Sequence, residues 1–112
     1  MLKNICQFNL RPSVDPAVFW NQQLRGHAGT TAEVAGDLLA GYVMNRALRA
    51  IDGRIPYDVT VELWFRTETD RDQFLELLAN TDDGFDDEVL DFCAYTVDEA
   101  TILEPGHRSA TA

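Results

Sequence analysis

The sequence predicts an α+β domain: a four-stranded antiparallel sheet with its helices on one face. Three observations carry that expectation. Strand-like alternation recurs four times, helical apolar spacing recurs in two stretches, and the segments fall in the order strand, helix, strand, strand, helix, strand. That order is the split βαβ, or ferredoxin-like, pattern βαββαβ. At 112 residues and 46% hydrophobic composition the chain is long and apolar enough for one globular core, without staples.

The first strand covers 3–10, with Ile5 on one side and Cys6, Phe8 and Leu10 toward the other. Asp15 before Pro16 is a helix start, a capping carboxylate followed by proline at the first helical position. Ala17, Trp20 and Leu24 recur on one helical face, and Val34, Ala35 and Leu38 continue an apolar stripe. Between them, "RGHAG" interrupts the pattern. Gly26 can end one helix, and Thr30 with Glu33 has the spacing of a capping box that starts another; alternatively, one helix runs through. Gly41 closes the helical stretch.

Residues 42–50 read as the second strand, and Asp52-Gly53 with Pro56 as a turn. The clearest strand is 57–66, YDVTVELWFR: Val59, Val61, Leu63 and Phe65 line one face, Thr60, Glu62 and Trp64 the other. Thr69 with Asp72 resembles a capping pair ahead of Phe74, Leu77 and Leu78, which have helical spacing. The acidic stretch 82–88 opens a short further helix, and 92–103 form the last strand. The expected domain is 1–104, with 105–112 a disordered tail. Because the third strand is apolar or aromatic on both sides, its second face needs a cover. A second copy of the chain, packed sheet to sheet as a homodimer, is the economical one.

Nine Lys and Arg against 19 Asp and Glu leave a net charge of −10. That excludes nucleic acid as an expected partner, because phosphate binding needs a basic footprint. An anionic membrane surface is excluded on the same ground. No apolar run spans a bilayer, and MLKNICQFNL alternates too soon for a signal-peptide core. Cys6 and Cys93 make neither a disulfide framework nor a zinc site. The expectation is a cytoplasmic protein with two reduced thiols, both in strand-like segments.

His27 leans toward the apolar stripe, and hence toward the sheet, whether the helix breaks or runs through. Imidazole, with an unperturbed pKa of about 6.5, suits proton transfer near neutrality. The same residue can instead cap carbonyls at a helix end and pack. Glu62 is either a buried acid or a residue of the outer face paired with Arg46 or Arg66. Tyr42, Asn45, Trp64, Tyr95 and, on the helical stripe, Trp20 offer hydroxyl, amide and stacking contacts to an aromatic ligand; each can equally fill a core. TDDGFDDEVLDF lacks the spacing of a calcium loop. Acids at a helix N-terminus explain Asp86, Asp87 and Glu88 without a metal. No phosphate-cradling glycine loop, G-x-S-x-G or cysteine–histidine pair occurs, and His107 in the tail has no role. No metal and no cofactor are expected.

The stretch from Phe19 to His27, then Tyr42, then Val61-Glu62-Leu63-Trp64-Phe65, resembles the EthD-like family of dimeric α/β-barrel proteins. In that family a helix carries a phenylalanine, a tryptophan and a histidine at four-residue steps, followed by a small residue. Phe19, His27 and Ala28 match. Gln23 stands where the family has its tryptophan, Trp20 is nearby but out of register, and Ala28-Gly29 stands where glycine and proline often follow.

The resemblance implies the dimeric barrel and a pocket at the histidine. With the inward histidine it yields an expected function: a cofactor-free enzyme acting on an aromatic or polyketide-like molecule. His27 moves a proton at an enolisable or phenolic centre in a cyclisation, dehydration or decarboxylation, while Tyr42 and Asn45 hold the oxygen that gains charge. Two other readings stay open. One is a non-catalytic dimer that holds a small hydrophobic molecule or accompanies an oxygenase. The other is a cofactor-free monooxygenase of a reduced aromatic substrate.

Overall fold

The computed structural model describes residues 1–80 and 85–106. The start of the acidic stretch, and the expected tail from 107 with His107, lie outside the described residues. Four strands form one antiparallel sheet: β1 (Leu2–Leu10), β2 (Gly41–Arg46), β3 (Val59–Phe65) and β4 (Val89–Val97), in the order β2-β3-β1-β4. The helical segments are α1 (Pro16–Gln22), a π turn (Gln23–His27), α2 (Ala28–Ala35) and α3 (Glu68–Ala79). They lie on one face of the sheet. The ferredoxin-like order expected from the sequence is the order observed.

β3 shows how the sequence produces the two layers. Side chains alternate across a strand; Val59, Val61, Leu63 and Phe65 are buried, while Thr60, Glu62 and Trp64 turn to the other face. Phe8 of β1, Phe19 of α1, Phe65 of β3 and Phe74 of α3 are each at most 1% exposed and sit in one core between sheet and helices. Burying a phenylalanine stabilises by roughly 1.5–3 kcal/mol, so these four rings hold the helices on the sheet.

Asp15 caps α1 as expected: its Oδ1 accepts from the Ala17 N–H at 2.9 Å and the Val18 N–H at 3.1 Å. Other boundaries shift. α3 is capped by Thr67, whose Oγ1 accepts from the Asp70 N–H at 3.1 Å, and not by Thr69. α2 ends at Gly36, whose φ of 54° and ψ of −127° favour glycine. Gly41, expected to close the helix, instead opens β2 opposite Trp64; a Cβ at Gly41 would lie 2.9 Å from the indole Cε3. β2 stops at Arg46, short of the expected residue 50. β4 begins and ends earlier than expected, since Val89 and Leu90 already pair with Leu10 and Asn9. Among the described residues the acidic stretch forms a single 3-10 turn, Phe85–Asp87.

β4 also carries a bulge. Asn9 pairs with Leu90 but Gln7 pairs with Cys93, which leaves one extra residue on β4, and Asp91 there has φ 56°. A bulge re-aims the side chains beyond it. Here it turns Phe92 to the helix-facing side, where its ring stacks on Phe8 at 6.4 Å.

Candidate functional site

The helical backbone runs through the histidine. Gln22, Gln23, His27 and Ala28 all have right-handed helical dihedrals, so Gly26 ends nothing and the Thr30–Glu33 pair starts nothing. The local departure is the π turn: the Ala28 N–H donates to the Gln23 carbonyl, five residues back. The buried or half-buried inward positions are Phe19, Gln23, His27, Thr31 and Ala35, one every four residues. In a pure α-helix each four-residue step overshoots a turn by about 40°, a drift of about 160° over this span. The extra residue of the π turn removes about 100° of it. One turn thus keeps Gln23, His27 and Thr31 on the same wall as Phe19. The stripe expected from hydropathy differs: Leu24 and Val34 are about half exposed, and Trp20 packs half-buried at the edge of the core.

Gln23, His27 and Thr31 face the sheet across a cavity of about 250 Å³. Cys6 and Phe8 of β1, Tyr42 and Met44 of β2, and Val61 and Leu63 of β3 form its floor. Phe74 and Leu78 of α3 close one side; Phe85, Asp86 and Phe92 line the other. Phe92 and Asp86 are exposed, so that end reaches solvent. The His27 ring stacks on Phe85 with centroids 5.2 Å apart and planes 14° from parallel. Phe85 meets Phe8 edge-on at 5.1 Å. Burial pushes the Cys6 thiol up, with Cys93 adding to the effect, so Cys6 contributes an unionised apolar wall.

Two polar residues of this wall stand out. Gln23 is 5% exposed and Thr31 is 8% exposed, yet among the described residues neither side chain has a hydrogen-bond partner in the protein. Every fully enclosed side-chain nitrogen or oxygen among the described residues does have one. The polar atoms of Gln23 and Thr31 therefore keep their access through the cavity they line.

Asn45, Glu62, Trp64 and Tyr95 are on the opposite face of the sheet. They alternate with, or pair across from, residues that point away from the cavity: Asn45 follows Met44, Glu62 follows Val61, Trp64 follows Leu63, and Tyr95 pairs with Ile5. This corrects the expected oxygen-holding pair, because the sheet separates Asn45 from Tyr42. Glu62 is paired with Lys3 and not with Arg46 or Arg66. Lys3 Nζ lies 2.7 Å from Glu62 Oε1 and 2.5 Å from Glu99 Oε2, and 4.6 Å from the Trp64 ring centroid. Asn45 Nδ2 donates to Glu62 Oε2 at 3.2 Å, and Trp64 Nε1 donates to Glu99 Oε1 at 3.0 Å. Tyr95 donates its hydroxyl to Gln7 Oε1 at 2.8 Å.

Of the residues picked from sequence, the structure thus brings together His27 and Tyr42. It leaves Trp20 outside the lining and places Asn45, Glu62, Trp64 and Tyr95 across the sheet. Hydropathy does not mark Thr31, Phe85 and Phe92 as lining residues, and Gln23 stands out in the sequence only as a replacement. The available signal was the recurrence of Phe19, Gln23, His27, Thr31 and Ala35 at four-residue steps.

No protein-family model matches the sequence, and no curated protein does. Solved structures match over most of the chain. An EthD family protein from Bacillus halodurans C-125 has a TM-score of 0.67 at 16% identity, covering 89% of this chain and 100% of that one. A dabb family protein with a ferredoxin-like fold from Mesorhizobium loti MAFF303099 has a TM-score of 0.63 at 15% identity, over 89% and 97%. A dimeric protein of unknown function with a ferredoxin-like fold from Bacteroides fragilis NCTC 9343 has a TM-score of 0.57 at 12% identity, over 88% and 95%. At these identities the likeness shows the fold: this chain shares it with EthD and ferredoxin-like dabb proteins. Among the described residues no helix is long and apolar enough to cross a membrane.

Proposed function

We propose that this chain is a divergent EthD-like enzyme that needs no cofactor and moves a proton on a small aromatic molecule. The observation that carries the reading is His27 on the wall of the aromatic-lined cavity, with Tyr42 on its floor. His27 takes a proton from, or returns it to, an enolisable or phenolic centre. Tyr42 hydrogen-bonds the oxygen that gains charge. Such a step serves cyclisation, dehydration or decarboxylation. An apolar cavity of about 150 Å³ holds benzene, so one of about 250 Å³ suits one or two rings. The polyketide-like class is thereby narrowed to its smallest members.

The test is His27→Ala against a panel of small aromatic substrates. The His27 side chain is half-buried at the cavity, so the variant is expected to fold and to lose turnover by roughly 10²- to 10⁴-fold. Full activity of His27→Ala on a substrate of the wild type ends this mechanism. Binding without turnover in the wild type favours the non-catalytic reading, which the mainly apolar walls also suit.

A homodimer packed sheet to sheet belongs to the same proposal. Val43 and Tyr95 are exposed on the uncovered face, and Leu48 and Ile51 between β2 and β3 are 84% and 99% exposed. The radius of gyration is 15.7 Å, against about 13 Å for a compact chain of this length. A second copy would cover segments that reach away from their own core in this way. Light scattering at micromolar concentration should return twice the chain mass; a monomer overturns the dimer. The free thiols of Cys6 and Cys93 support a reducing, cytoplasmic setting.

A further inference from the structure

This inference rests on the ligand-binding reading of the same cavity and specifies what the ligand presents to it. Gln23 is nine-tenths buried, lines the cavity, and has no hydrogen-bond partner in the protein among the described residues. A carboxamide carries a donor and an acceptor side by side. Neither atom is fully enclosed, so both are open only to what the cavity holds, and an apolar side chain would line the wall without presenting such a pair. The arrangement makes sense if something that enters the cavity completes the pair.

We propose that Gln23 is the recognition element of the cavity, and that its ligand is a neutral aromatic molecule of one or two rings with an adjacent donor and acceptor, as on a lactam edge. Neutrality follows from the surroundings. Among the described residues no lysine or arginine lines the cavity, Asp86 stands at its open end, and the chain carries a net charge of −10. A carboxylate, which a carboxamide can also bind, meets no permanent cation there. Flatness follows from the rings of Phe8, Phe85 and His27. Successive inward positions on the helix are spaced by about 6 Å along its axis. A ring held at its edge by Gln23 therefore extends past His27, and the unpartnered Thr31 hydroxyl offers a polar contact at the far end.

The test titrates the full chain with 2-quinolone, two fused rings with a lactam edge, and with naphthalene, the same ring frame without it. The wild type is expected to bind 2-quinolone roughly ten- to a hundredfold more tightly than naphthalene. Gln23→Leu is expected to abolish that preference, weakening 2-quinolone by the same factor and holding naphthalene at least as well. Should Gln23→Leu fail to fold by circular dichroism, Gln23→Met, unbranched and of similar length, takes its place. Equal binding of both probes by the wild type overturns the role of Gln23 and leaves the aromatic cavity standing. A preference that survives loss of the carboxamide overturns it too. Binding of neither probe ends both this proposal and the ligand-binding reading beneath it.

Discussion

Lys3 and Gln23 are buried almost equally, at 7% and 5% exposed, on opposite sides of one sheet. Lys3 is surrounded by partners: Glu62, Glu99 and the face of Trp64, with Asn45 bonded to the same glutamate. Gln23 has none among the described residues, and neither does Thr31 two steps further along the helix. Buried polar groups whose role is structural are satisfied within the chain. The outer face is satisfied in that way, whereas the polar atoms of the cavity wall are left open to the cavity. Burial of a polar residue is therefore a poor marker of a site in this molecule, and burial without a partner is the better one. Glu62 attracts notice in the sequence as an acid in an apolar strand, yet its place is in a closed network.

Lys3→Met breaks the paired side. It removes the ammonium from two carboxylates and leaves Glu62, with its side chain 25% exposed, bonded to Asn45. The expected loss is about 1–2 kcal/mol in chemical denaturation, with no change in ligand affinity on the other side of the sheet. A fall in both would show that the two faces are not independent. The pH dependence checks the cause. Glu62 foremost, and Glu99, hold Lys3 above the ordinary lysine range, so its contribution is full below about pH 10 and lost as pH rises through the folded value. Lys3, and then the Trp64 N–H, hold Glu99 below the usual carboxylate range. Its contribution is full above about pH 4.3 and lost as pH falls through the folded value. The stability gap between wild type and Lys3→Met should be flat from about pH 5 to pH 10 and narrow at both ends.

The same contrast explains what can be read from the sequence. The sheet is legible because Val59, Val61, Leu63 and Phe65 alternate without exception, and the start of α1 because Asp15-Pro16 is a cap with a mechanism. The cavity wall is not legible from hydropathy, because Gln23, His27 and Thr31 are polar and the apolar stripe points instead to Leu24 and Val34. The π turn adds a phase shift that a 3.6-residue period does not contain. The resemblance, with its four-residue steps through Phe19, position 23 and His27, carried the correct register. Asn45, Glu62 and Trp64 attract notice in the sequence for their chemistry. Their parity with Met44, Val61 and Leu63 already assigns them to the other side of the sheet.

The smallest expected effect tests the π turn itself. Gly26 lies within it, exposed, one residue before His27, and a Cβ added there meets nothing within 4 Å. Its φ is not positive, so no left-handed backbone calls for glycine. Glycine in a helical segment is less stable than alanine by roughly 0.5–1 kcal/mol. Gly26→Ala should therefore raise the free energy of unfolding by about that amount and leave ligand affinity unchanged. A gain in stability with a loss of affinity has a specific meaning. Alanine would then have closed the π turn to plain α-helix, rotating His27 by about 100° relative to Gln23. In that case the cavity wall depends on the width of one turn, while Lys3 and Glu62 across the sheet, set by the register of β1 and β3, stay as they are.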